Sequence, residues 1–189
     1  MDELKARILR YGRNLGGGIL DVNNFLNHQV DSRLMVSIGR ELGKRFSPYR
    51  PSKVLTAEIS GIAPALQAGV ILGVPVVFAR KIRSVTMPER VYFRTVPSHT
   101  KGQVTELIVA ANLIEPRDRI LIVDDFLATG KTIEALASIA LEGGAKLVGI
   151  GVVIEKSFEG GRERLAPLGV PIEALAIVEK MEGDQIVLK

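Results

Sequence analysis

Apolar residues in this chain recur in two spacings that alternate along its length. Compact runs rich in Val, Ile and Leu at 53–57, 76–79, 105–110, 119–123, 146–155 and 172–178 predict strands, and most carry apolar residues on both faces, as buried parallel strands do. Between them, apolar residues three and four apart predict helices. One covers 2–11 with Leu4, Ile8 and Leu9 on a single face, and the next, 33–46, carries a stripe of Leu34, Met35, Ile38, Leu42 and Phe46 behind an N-cap at Asp31 or Ser32. Further helices follow at 62–72, at 132–141 before a Gly143-Gly144 stop, and at 161–168, and residues 182–189 make a short edge element. Strand and helix in alternation give an α/β fold, an open and mostly parallel sheet flanked by helices. In such a sheet ligands sit beyond the carboxyl ends of the strands.

At 189 residues the chain suits one well-buried domain, and 47% hydrophobic with 24% charged residues suits a globular protein. The absence of cysteine excludes disulfides, thiol nucleophiles and cysteine-bound metals, and two histidines are too few for a histidine-rich metal site. The opening Met-Asp-Glu-Leu-Lys-Ala-Arg lacks a leader's apolar core and no stretch approaches a membrane span, so a cytoplasmic protein with no membrane partner is expected. The net charge of +4 is spread along the chain, which argues against nucleic acid and suits anionic small molecules.

Candidate chemistry concentrates where the strand at 119–123 ends in Asp124 and Asp125 and runs on through Phe126 and Leu127 to Ala128, Thr129, Gly130, Lys131 and Thr132. Backbone N–H groups of a small, hydroxylated loop that opens a helix converge on an anion, and the two carboxylates suit ribose hydroxyls or Mg2+. A Walker A loop is excluded, because its first glycine would fall at Asp125. A second strand-to-helix junction, Glu58-Ile59-Ser60-Gly61, offers another anion site, and Arg80-Lys81 stands at a neighbouring strand end. Residues 82–103 lose periodicity and hold Arg83, Arg90, Arg94 and Lys101, which fits a basic lid or a hairpin built on 90–94, or both. Residues 19–31 set Asn23, Asn24, Asn27 and His28 among Leu20, Val22, Phe25 and Leu26, a wall for a flat heterocycle or a self-packed loop. Just before it, Gly16-Gly17-Gly18 is a turn or a point of close ligand approach, and at another strand end Lys156 and Phe158 are placed to bind and stack a base.

Two acids after an apolar strand, then Ala-Thr-Gly-Lys-Thr, resemble the phosphoribosylpyrophosphate (PRPP) motif of the type I phosphoribosyltransferases. The segments at 25–31, 74–81 and 153–158 resemble the xanthine-using branch of that family, and the likeness extends over nearly the whole chain. The loop reads Ala128-Thr129-Gly130, the common superfamily form, where that branch is expected to carry Ala-Asn-Gly.

The resemblance implies one domain, 1–189, with residues 1–46 supplying N-terminal helices and a base-binding hood and 82–103 a flexible loop. It implies that Ala128, Thr129, Gly130, Lys131 and Thr132 hold the 5'-phosphate, that Asp124 and Asp125 face the ribose hydroxyls, and that Ser60, Gly61 and Lys81 receive pyrophosphate beside a non-proline cis peptide. Leu20, Asn27, Lys156 and Phe158 would hold xanthine, Mg2+ would be the cofactor, carried mainly by PRPP, and the protein would be a homodimer with no covalent catalytic nucleophile. Guanine, hypoxanthine or adenine as the base, or a PRPP-binding regulator without turnover, are the alternatives.

Overall fold

The computed structural model describes residues 1–97 and 104–189. In chain order the elements are α1 (Asp2–Tyr11), β1 (Arg13–Asn14), β2 (Leu20–Asp21), a π-helical turn (Asn23–Asn27), α2 (Ser32–Phe46), β3 (Lys53–Ala57), α3 (Ile62–Leu72), β4 (Val76–Ala79), β5 (Val91–Pro97), β6 (Val104–Ala110), β7 (Arg119–Leu127), α4 (Lys131–Glu142), β8 (Lys146–Lys156), α5 (Gly161–Leu165), β9 (Ile172–Glu182) and β10 (Gln185–Leu188). Six strands form the main sheet in the order β10-β9-β8-β7-β3-β4, all parallel except β10, which pairs antiparallel with β9 at the edge.

The alternation within each strand explains the three layers. On β3, Val54 and Leu55 are both fully buried and join different cores, and on β7 Leu121 and Ile122 do the same. One core lies under α4, α5 and the β5–β6 hairpin; the other lies under α1, α2, α3 and the residues from Leu20 to Leu26. Phe46, at the end of α2, lies flat on β8 because Gly149 and Gly151 carry no side chain there: a Cβ on either would run into its ring. Burying such a ring stabilises the fold by about 1.5–3 kcal/mol. Asp31 caps α2, accepting from the Arg33 and Leu34 N–H groups at 3.1 Å each, and these bonds, the Leu34 one first, hold its carboxyl below the usual range.

Several expectations need correction. Strand 105–110 belongs outside the main sheet, in an antiparallel hairpin with β5 that touches the sheet edge through one bridge, Arg80 to Ile108. That hairpin rests on α4 through the buried Tyr92 and Val96, so 90–97 is a packed strand with an exposed rim. Leu9, expected on the buried face of α1, is 61% exposed, since Leu4 and Ile8 alone turn inward. The last parallel strand continues to Glu182, where β10 pairs with it. Lys101 and the rest of 98–103 lie outside the described residues.

Candidate active site

The loops after β3, β4, β7 and β8 leave from the carboxyl edge of the sheet, and those after β3, β4 and β7 meet around one cavity of about 320 Å³. All ten residues expected to hold PRPP line it: Ser60, Gly61, Lys81, Asp124, Asp125, Ala128, Thr129, Gly130, Lys131 and Thr132. Gly130 caps α4 with φ +79°, a conformation costly for any residue with a Cβ, and Gly161 packs closely on the loop, where a Cβ would strike the Ala128 carbonyl. The first loop contains a cis peptide between Glu58 and Ile59, and Glu58 accepts from the Lys81 N–H at 2.5 Å, tying this loop to the end of β4.

Asp124 is 6% exposed and accepts the Asp125 N–H at 3.0 Å. Burial, and then the negative charge of Asp125, push its carboxyl well above the ordinary carboxylate range, against a weaker pull from Lys81. Burial raises Asp125 as well. A side chain at Gly61 would strike Thr56 Oγ1 and Asp124 Oδ1, so the glycine keeps the floor of the cavity open beneath the acid pair. Two under-compensated carboxylates beside a loop of N–H donors make a site that is incomplete without positive charge and hydroxyl donors. The carboxylate oxygens of Asp124 and Asp125 are hard donors of the kind that suit Mg2+; among the described residues no group of three or more His, Asp or Glu could hold a metal.

The four residues expected at the base are placed differently, and none of them lines that cavity. Asn27 comes nearest, its Nδ2 donating to Asp125 Oδ2 at 3.5 Å while its buried Oδ1 has no partner among the described residues. Lys156 donates to the Gly18 carbonyl at 2.8 Å and pairs with Glu159, so its ammonium is engaged by the glycine turn and its own loop. Phe158 is 45% exposed near Gly18, which offers a ring face to a ligand. Leu20 is buried in the core under α1 and α2, because apolar spacing alone does not separate a ligand wall from a core wall.

Glu58 and Ile59, part of the junction offered as a second anion site, line the cavity as well; sequence reasoning missed Phe126, and it missed Val96, Pro97, Thr105 and Leu107 from the hairpin. Phe126 follows directly on the acid pair, and adjacency was the available signal. Thr105 and Leu107 carried none, since their place depends on where β6 pairs.

The family model described as "Phosphoribosyl transferase domain" matches residues 50–176. The xanthine phosphoribosyltransferase of Deinococcus deserti is 46% identical over 190 residues, covering 100% of this chain and 98% of that protein. The xanthine phosphoribosyltransferase of Bacillus licheniformis is 45% identical over 186 residues, covering 98% and 96%. Among solved structures, adenine phosphoribosyltransferase from Thermoanaerobacter pseudethanolicus superposes with a TM-score of 0.74 at 24% identity, over 93% of this chain and 98% of that one, a likeness of fold.

Proposed function

The chain belongs to the phosphoribosyl transferase family, and from that membership we propose that it transfers the 5-phosphoribosyl group of PRPP to xanthine, giving xanthosine 5'-monophosphate and pyrophosphate in purine salvage. The observation that carries the reaction is the single cavity ringed by the phosphate loop, the acid pair and the loop after β3. The near-full-length identity to relatives named for xanthine supports the choice of base.

In this reading loop 128–132 and the start of α4 bind the 5'-phosphate through backbone N–H groups, and Ser60, Gly61 and Lys81 receive the pyrophosphate. Asp124 and Asp125 accept from the ribose hydroxyls and stabilise the positive charge that develops on the ribose as the bond to pyrophosphate breaks. Asp124 or Asp125 would hold Mg2+ carried in with PRPP, and the ion when bound would supply positive charge to offset that of pyrophosphate. Holding the ribose and base in line lowers the barrier without a covalent enzyme intermediate.

Asn27, Lys156 and Phe158 come from the hood and the end of β8 to hold the purine, and Lys156 exchanges its Gly18 carbonyl for a purine carbonyl. Leu20 supports that hood from within the core. Hypoxanthine-guanine enzymes of the family carry an aspartate where this chain has Ala128; xanthine is the more acidic purine and needs less help in losing a proton.

We read the whole chain as one domain in which residues 1–46 form the hood, since both apolar cores share one sheet. A homodimer fits the exposed Leu66 and Val70 of α3 and Phe78 of the edge strand β4, and a cytoplasmic location fits the small-molecule substrates. Among the described residues no helix is long and apolar enough to cross a membrane.

Nucleotide formation from PRPP and Mg2+ with xanthine, guanine, hypoxanthine and adenine tests the reading. Xanthine gives the highest kcat/KM, and Lys156→Ala lowers it by roughly 10²-fold while PRPP binding persists. Preference for another purine discards the roles of Asn27 and Lys156; PRPP binding with no turnover on any base makes the protein a regulator.

A further inference from the structure

The short helix α5 reaches both halves of the site. On one side Arg162 forms a bidentate pair with the buried Glu155, Nε and Nη2 donating at 2.9 and 2.6 Å, and its Nη1 donates to the Ile172 carbonyl at 2.9 Å. This fixes α5 to the ends of β8 and β9, directly beside Lys156. On the other side Arg164 Nε donates to the Thr129 carbonyl at 2.8 Å, and Nη1 reaches Glu134 in the first turn of α4 at 3.3 Å. Its aliphatic stem passes beside Gly130, with Cδ 3.4 Å from where a Cβ on that glycine would stand.

We infer that Arg164 is a positioning residue for the 5'-phosphate loop, a role that rests on the phosphoribosyl-transfer reading of that loop. The peptide joining Thr129 to Gly130 is trans, so its C=O and N–H point in opposite directions. Holding the Thr129 oxygen on the Arg164 side turns the Gly130 N–H away from α5, toward the cavity that Gly130 lines. A loop that must present several N–H groups to one phosphate needs each peptide plane fixed before the ligand arrives. Arg164 fixes one plane from outside and touches no ligand itself, and the Glu155–Arg162 pair keeps its platform in register with the base lysine.

Calorimetric binding of ribose 5-phosphate and, separately, of pyrophosphate with Mg2+ tests this on the wild-type chain, Arg164→Ala and Arg164→Lys. In the proposed reading ribose 5-phosphate calls on loop 128–132 and pyrophosphate on the loop after β3, two segments that line different parts of one cavity's rim. The expected result is a roughly tenfold weaker Kd for ribose 5-phosphate in Arg164→Ala, partial recovery in Arg164→Lys, and unchanged pyrophosphate affinity and Tm. Unchanged ribose 5-phosphate affinity in Arg164→Ala overturns the inference. So does parallel weakening of both ligands with a lowered Tm, which assigns Arg164 to general stability. A wild-type chain that binds neither ligand removes the phosphoribosyl reading itself, a result distinct from either.

Discussion

β7 has a buried aspartate at each end, and their electrostatic settings are opposite. Asp118, 7% exposed just before the strand starts, meets Lys53 Nζ at 2.7 Å, the Glu115 N–H at 2.8 Å and Ser52 Oγ at 3.2 Å. Burial alone pushes its carboxyl up, but Lys53, the Glu115 N–H and Ser52 outweigh burial and hold it below the usual range. Asp124, 6% exposed near the strand's far end, has no ion pair within the described chain, and burial and Asp125 hold it far above that range. An aspartate serves cohesion just before the amino end of the strand, and another toward its carboxyl end lines the cavity with no ion pair among the described residues. A parallel sheet separates these duties because all its binding loops leave from one edge.

Substitutions at the two ends should therefore fail in different assays. The largest effect belongs to Asp125→Asn, which lowers kcat/KM by on the order of 10²–10³-fold, as loss of a preorganised charge does. Steady-state rates with PRPP and xanthine check it, and near wild-type turnover would remove the acid pair from the mechanism.

Next comes Asp118→Asn, which leaves Lys53 with the Leu113 carbonyl alone and costs about 1.5–3 kcal/mol of stability, with turnover intact. Because the folded state lowers this pKa, the aspartate's contribution is present above its unfolded value near 3.8 and is lost as pH falls through the folded one. Denaturation curves at neutral pH and below about pH 4 would show the deficit shrinking on acidification.

The smallest effect has the opposite sign. Asp124→Asn stabilises the ligand-free chain at neutral pH by roughly 0.5–2 kcal/mol. Here the folded state raises the pKa, so the wild-type carboxyl is tolerated fully below its unfolded value of 3.8 and becomes a burden as pH rises through the folded one. The gain should vanish on acidification. A loss of stability at neutral pH would mean that Asp124 has a compensating partner.

The residues read from sequence as a phosphate loop and acid pair are nearly contiguous, and the fold brings them to one cavity. Asp124 to Thr132 span one strand end, one turn and one helix start, and each of those states follows from local chemistry. The residues proposed for the base are scattered: Asn27 and Lys156 are far apart in sequence, and in the fold Asn27 reaches Asp125 while Lys156 reaches the Gly18 carbonyl. Leu20 marks the limit, since its spacing was compatible with a ligand wall and the fold placed it in the core. The hairpin marks another: its strand residues were legible, but its partner was fixed by the register of Val91 on Ala110, which long-range pairing decides.

Gly16, Gly17 and Gly18 have φ values of +81°, +58° and +76°, so the turn that presents a carbonyl to Lys156 is a short stretch of backbone with inverted handedness. Nothing lies within 4 Å of a Cβ built at Gly16 or Gly17. Space is therefore available there, and chirality is what excludes ordinary side chains. Synthetic D-alanine at either position would match the backbone, limit the unfolded chain and leave the carbonyl in place, whereas L-alanine would fit the space and oppose the turn. Handedness, written as three missing side chains, sets where this turn meets Lys156.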